Sequence, residues 1–113
     1  MKIIRKRIPI SQIKTMAEKS FGNLVKAVVD TEKEIMVLDG ELHADEEALL
    51  LEQGSKQTNL WGINLYPDLG TKDWIEFDSM INLRPANGNR SRSVDDVKTR
   101  KKIISLVNQL IDR

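Results

Sequence analysis

The sequence predicts a single α+β domain over residues 1–113, with a mixed, mainly antiparallel sheet of five to six strands. An N-terminal and a C-terminal helix are expected to pack on that sheet. Three observations carry this expectation. Leu60 to Arg84 reads LWGINLYPDLGTKDWIEFDSMINLR, two β-type runs around a Pro-Asp and Gly turn region, and holds both tryptophans and the only tyrosine. Leu24–Val29 and Ile35–Leu38 are two further β-type runs, separated by the short polar stretch DTEKE. Two segments, after Ser11 and after Ser93, repeat their apolar residues at helical spacing. Because aromatic residues mark dense packing, the two runs in Leu60–Arg84 are expected to form the centre of the sheet.

The elements follow in chain order. Lys2–Ile8 is a short β-type run interrupted by Arg5, Lys6 and Arg7, as suits an edge strand. Ser11 is placed to cap a helix that runs to about Phe21, with Ile13, Met16, Ala17 and Ser20 on one face and Gly22 as its stop. The strand–helix–strand entry is long enough for a right-handed parallel crossover. Ile35–Leu38 is apolar at four successive positions and is expected to be buried on both faces. Asp39-Gly40 marks the turn after it.

Residues 46–53 read two ways. As a helix, Asp45 would be the N-cap, Glu46 and Glu47 would face the helix dipole, and Gly54 would end it. As a strand, Ala48–Glu52 would pair with Leu60–Tyr66 across GSKQTN. The strand is favoured, since a helix of about two turns is marginal in isolation. Trp74–Leu83 alternates, with Ile75, Phe77, Ser79, Ile81 and Leu83 on one face, and predicts a full strand. Ser93 is expected to cap the final helix, whose apolar stripe is Val97, Ile103, Ile104, Val107, Leu110 and Ile111. The expected order is β-α-β-β-β-β-β-α.

The chain has 113 residues, 40% hydrophobic and 31% charged, with a formal net charge of +1. That is an ordinary globular composition with no global pull toward nucleic acid or anionic membrane. Cysteine is absent, which excludes disulfides, thiolate nucleophiles and cysteine-bound zinc. MKIIRKRIPI starts basic, but no apolar run of about 7–15 residues follows, so a cytoplasmic location is expected and no membrane partner.

Two surface sites are candidates. The first is Glu41, His43 and Asp45 in GELHADEE. An imidazole between carboxylates can act as a general acid or base held in one tautomer. Alternate residues of an extended segment also point the same way, and one nitrogen with two carboxylates is a metal-ligand set. No HExxH motif or second histidine accompanies it, so no metal and no cofactor is assigned. A lone histidine in an acidic loop is more often an ordinary hydrogen-bonded residue. The second is Arg84, Asn89, Arg90 and Ser91, within the polar loop that also holds Asn87, Gly88, Arg92 and Ser93. Guanidinium groups, a hydroxyl and free N–H groups before a helix can hold a phosphate or carboxylate. The bland alternative is a capped, solvated loop in which Asp95 and Asp96 answer the arginines. Strand parity sends loop 39–47 to one end of the sheet and loop 84–93 to the other. His43 and Arg90 should therefore sit apart.

The segments LVKAVVD, GELHADEEALLLEQGS, LWGINLYPD, WIEFDSMINLRP and GNRS resemble a family of short uncharacterised prokaryotic proteins, over roughly Leu24 to Ile111. The resemblance implies no activity. The residues themselves favour a small binding or interaction module that takes an anionic ligand or nucleotide at loop 84–93 and forms a homodimer through a sheet edge. Nucleic acid is not expected, because Glu76 and Asp78 stand among the aromatics. The alternative is a small phosphoryl-transfer hydrolase or nuclease, with His43 as acid/base and arginines stabilising charge.

Overall fold

A computed structural model describes residues 1–113. The sheet is organised around β3 (Val25–Asp30), not around the aromatic stretch. Its neighbours are β4 (Ile35–Leu38) and β5 (Leu60–Leu65), outside which lie β1 (Lys2–Ile4) and β6 (Ile75–Glu76), in the order β1-β4-β3-β5-β6. Every pairing in this sheet is antiparallel. The only parallel pair is a separate two-residue contact between β2 (Ile8–Pro9) and β7 (Ile111–Asp112). β1 and β3 do run the same way, but β4 inserts between them.

Strand alternation divides the apolar residues between two layers. Val25, Ala27 and Val29 of β3, Met36 and Leu38 of β4, and Ile63 and Leu65 of β5 face the larger core. α1 (Ile10–Lys19) and α3 (Val97–Leu110) close that core with Ile13, Ala17, Ile103, Leu106, Val107 and Leu110. On the opposite face Val28, Ile35, Val37 and Leu60 pack under Leu50 of α2 (His43–Glu52).

That second layer corrects the reading of residues 48–53 as a strand. The segment is a helix because the face of the sheet carrying Val28, Val37 and Leu60 needs a cover. Ala, Leu and Glu are good helix formers once packing supplies what two to three turns lack alone. The helix starts at His43, with Leu42 rather than Asp45 at the cap position and no side-chain cap bond.

The predicted strand over 74–83 survives only as Ile75–Glu76. Ser79 then caps a 3-10 turn, Met80–Asn82, by accepting the Ile81 N–H. The buried Asn82 amide takes over from the backbone on the β5 edge. It accepts the Gly62 N–H at 2.8 Å and donates to the Gly62 carbonyl at 2.9 Å. Gly62 is required there, because a Cβ would lie 2.6 Å from Ser79 Cβ.

Smaller corrections concern the helices. α1 begins at Ile10 behind Pro9, one residue before the predicted cap Ser11, and ends at Lys19 rather than near Phe21; Gly22, with φ of +90°, follows three residues on and closes the end through its N–H to the Ala17 carbonyl. α3 is capped by Asp96, which accepts from Thr99, not by Ser93. Val97 and Ile104, assigned to its apolar stripe, are exposed, and Leu106 is buried instead. Trp74 is 1% exposed under the Arg113 guanidinium, so it is not available at an interface.

Candidate functional site

The register of β3 and β5 sets Lys26 directly opposite Asn64 on the face that α2 covers. His43, first residue of α2, comes down beside them. Asp78, Ser79, Met80 and Ile81 form one wall where the chain leaves β6, and Arg92 comes back to complete it. The cleft so enclosed has a volume of about 250 Å³. That is slightly below the usual range for ligand pockets, roughly 300–1,000 Å³, and suits a small ligand or one end of a larger one.

His43 Nε2 lies 2.8 Å from the Ile63 carbonyl. A carbonyl only accepts, so Nε2 carries the hydrogen and Nδ1 of the neutral ring is left as an acceptor. Burial holds the His43 pKa below its ordinary value, and the Lys26 charge acts the same way. The Ile63 carbonyl, Asp78 and Asn64 oppose them. The ring is therefore neutral at physiological pH. Asn64 is 8% exposed. Its Nδ2 donates to the Glu76 carboxylate at 2.8 Å and to the Asp78 carbonyl at 3.2 Å, which fixes the amide orientation. Its Oδ1 is left buried with no donor. At the mouth Arg92 Nε donates to Asp78 at 2.7 Å, both side chains about half exposed. Lys26 has no carboxylate within ion-pair distance; its ammonium lies 5.1 Å from the centre of the Phe21 ring.

The first candidate cluster is divided by the helix. His43 faces this cleft, whereas Glu41 and Asp45 line a separate depression with Asp39, Ala48 and Glu52. In helical geometry, positions 43 and 45 do not share a face. No group of three or more His, Asp or Glu side chains converges anywhere in a metal-binding arrangement. The carboxylate that does share the inner face of α2 is Glu46. It is fully buried, and desolvation pushes its pKa up to about 9 against the opposing pull of its bond from the Gly40 N–H.

Most donors of the second candidate, loop 84–93, have partners within the protein, the exceptions being the buried Arg84 Nε and the Arg90 guanidinium. Arg84 donates to the carbonyls of Gln57 and Leu60 and stacks 4.2 Å from the Trp61 ring. Asn89 is buried and gives its Nδ2 to the carbonyls of Asn82, Ser91 and Ser93. The Asp95 carboxylate accepts the Arg90 N–H and the Ser91 hydroxyl, which also hold its pKa below the usual carboxylate range. An internal anion therefore already occupies the cradle. Arg84 bonds the Leu60 carbonyl at the start of β5, while His43 sits on Ile63. Arg90 does not line the His43 cleft, but Arg92 does, against the expectation that the whole loop lies at the other end of the sheet, because the loop folds back along the sheet edge, with the Ser79 N–H and Asn82 Nδ2 both donating to the Arg92 carbonyl.

Sequence reasoning did not assign Lys26, Asn64, Asp78 or Ser79 to a site. No motif links them. The nearest signal is the alternation in β3 and β5 that puts Lys26 and Asn64 among apolar neighbours on otherwise buried strands.

Fold and cleft together define a small α+β domain with a polar, net basic cleft at one end of an antiparallel sheet. The chain belongs to the family DUF5674, described as a protein of unknown function, whose model matches residues 2–110. The match starts well before Leu24, where the resemblance in the sequence began. No curated protein and no solved structure matches the chain. No helix is long and apolar enough to cross a membrane.

Proposed function

We propose that the protein is a small ligand-binding domain that accepts an anionic group in the His43 cleft. The observation that carries this reading is Lys26, half-buried and without a carboxylate partner, on the floor of a cleft that the N-terminus of α2 enters. The unpaired first N–H groups of a helix favour a negative charge, and a desolvated ammonium beside them adds to the same field. Loop 84–93 contributes to anion binding through Arg92, the only one of its residues that lines the cleft. A titration of labelled protein with inorganic phosphate and with acetate tests the proposal. The amides of Lys26, His43, Ala44 and Asn64 are expected to shift at millimolar ligand, and Lys26→Met to abolish the shifts. Movement confined to Arg90 and Ser91 would return the site to the loop, and no movement anywhere would end the anion reading.

His43 supports a second reading, a phosphoryl-transfer hydrolase. A neutral imidazole with one nitrogen held on a backbone carbonyl has the form of an oriented general base, and Arg92 is a cation within the same cleft. Turnover of an activated phosphodiester, lost in His43→Gln, is the expected signature; no turnover above buffer excludes it. Self-association through the outer edge of β1 is a separate proposal. That edge is three residues long and followed by Arg5, Lys6 and Arg7, which discourage pairing, so sedimentation at increasing concentration decides it.

A further inference from the structure

The His43 ring stands between two acceptors. Its Nε2 lies 2.8 Å from the Ile63 carbonyl, and the ring is also the hydrogen-bonding neighbour of Asn64 Oδ1. Asn64 cannot turn over to offer a donor instead, because the Glu76 carboxylate and the Asp78 carbonyl hold its Nδ2. A neutral imidazole has one N–H, and the Ile63 carbonyl takes it. Asn64 Oδ1 is left buried without a donor, and a buried acceptor left unpaired is destabilising. An imidazolium has two N–H groups and satisfies both acceptors.

Charge explains why the ring nonetheless stays neutral in the empty cleft. Lys26 of β3 faces it, and that charge together with burial disfavours the imidazolium. Arg92 and Asp78 pair at the mouth. The Glu76 carboxylate of β6 stands behind Asn64, accepting from Asn64 Nδ2 at 2.8 Å and from the Tyr66 hydroxyl at 3.1 Å. On α2 itself Glu46 is buried and carries its proton, and Glu47 lies in the field of Arg84. Asp39, Glu41 and Asp45 line the separate depression. The residues lining the cleft are thus net basic, but with Glu76 counted Lys26 is offset and no positive charge is in surplus.

Resting on the anion-binding reading, we infer that the cleft takes up a monoanion together with a proton: the anion settles on Lys26, and His43 accepts a proton from solvent, giving one N–H to the Ile63 carbonyl and the other to Asn64 Oδ1. The anion removes the repulsion between Lys26 and an imidazolium. The proton in turn leaves Lys26 and His43 against Glu76, one positive charge in surplus, which a single negative charge matches. No ligand atom has to reach the buried amide oxygen. The coupling is reciprocal, so the anion strengthens proton binding by the factor by which the proton strengthens anion binding. The complex holds more protons than the free protein, so affinity is greatest at low pH. It weakens as pH rises and is least above the pKa that His43 has in the complex.

The chain has one histidine, so its ring signals are unambiguous. The test titrates the labelled full chain with methanesulfonate, a monoanion whose own charge does not change between about pH 5 and 8, and follows the His43 ring nitrogens and the cleft amides. Saturating methanesulfonate is expected to raise the midpoint of the ring titration by about one pH unit or more. Affinity should fall about tenfold for each pH unit of that rise across the range spanning both midpoints. His43→Gln should bind with an affinity that does not vary with pH. The midpoint is read on the wild-type chain, so the decision does not depend on the variant folding. If methanesulfonate binds equally well throughout, if the midpoint stays where it is, or if the variant keeps the wild-type pH dependence, this inference falls and anion binding stands. If methanesulfonate, phosphate and acetate all leave the cleft amides unmoved, both fall.

Discussion

Replacing Glu46 by glutamine should make the protein more stable at neutral pH and remove most of its pH dependence above neutrality. Glu46 is fully buried, accepts one bond from the Gly40 N–H, and has its other oxygen without a partner. Asp39, Lys26 and the Met1 amino group are the charges that act on it. Its pKa is raised from 4.5 to about 9, so the native state holds a proton that the unfolded chain releases. The stabilisation from that proton is complete below about 4.5 and is lost as pH rises through about 9. Between those limits stability falls by about 1.4 kcal/mol per pH unit. At neutral pH the loss is about 2.5 pH units, or about 3 kcal/mol. Glutamine has the shape of the neutral acid and no proton to lose. Urea unfolding followed by the fluorescence of the buried Trp74, at several values between about pH 7 and 8.5, measures the slope. In that window His43 is largely neutral in both states and adds little to the slope. Wild type should lose stability with rising pH; Glu46→Gln should not, and should melt roughly 10 °C higher near pH 7. A wild-type slope near zero, or an equal slope in the variant, would show that Glu46 ionises in the folded protein and would refute the reasoning.

His43 carries the opposite sign. With its pKa depressed below 6.5, the stability it contributes is lost as pH falls through that range, and His43→Gln should flatten the acid limb of the same unfolding curve. Gly62→Ala should cost about 1–3 kcal/mol, because the new methyl would meet the packed Ser79 side chain; a change below about 0.5 kcal/mol in urea would show that the turn simply moves away. Asn82→Leu keeps the branched shape but strands the Gly62 N–H and carbonyl in a buried site, for a loss of about 2–4 kcal/mol and faster amide exchange along β5; protected exchange at Gly62 would contradict its role as the edge partner.

Much of the frame was legible. Apolar alternation and turn residues placed β3 and β4 to within a residue, Leu60–Leu65 was readable as a strand, and Gly22 marked the turn that closes α1, although the helix itself stops at Lys19. α2 was not, because Ala48–Glu52 satisfies a strand and a helix about equally. The arbiter is the face formed by Val28, Val37 and Leu60, which comes from three separate segments. The shortened β6 was hidden for a different reason. A side chain, Asn82, replaces the backbone in pairing with Gly62, and periodicity of apolar residues carries no trace of such a substitution. The candidate residues show the same division. His43 stood out as the lone histidine, but Asp45 points elsewhere because the helix starts at His43, and Glu41, in the bend before it, lines the same separate depression. The donors of Asn89, the Arg90 backbone and Ser91 serve Asn82, Ser93 and Asp95.

By itself the sequence determined the fold class, the antiparallel character of the main sheet and most of the chain's helices and strands, because these follow from local periodicity and turn chemistry. Only the tertiary structure decided which strand lies at the centre, what covers the second face, and that Lys26, His43, Asn64, Asp78 and Arg92 enclose one cleft. Those residues come from five segments, and only the folding of the chain after β6 back along the sheet edge brings them together. That path is set by buried amides bonding to backbone groups distant in sequence, an interaction that no stretch of neighbouring residues encodes.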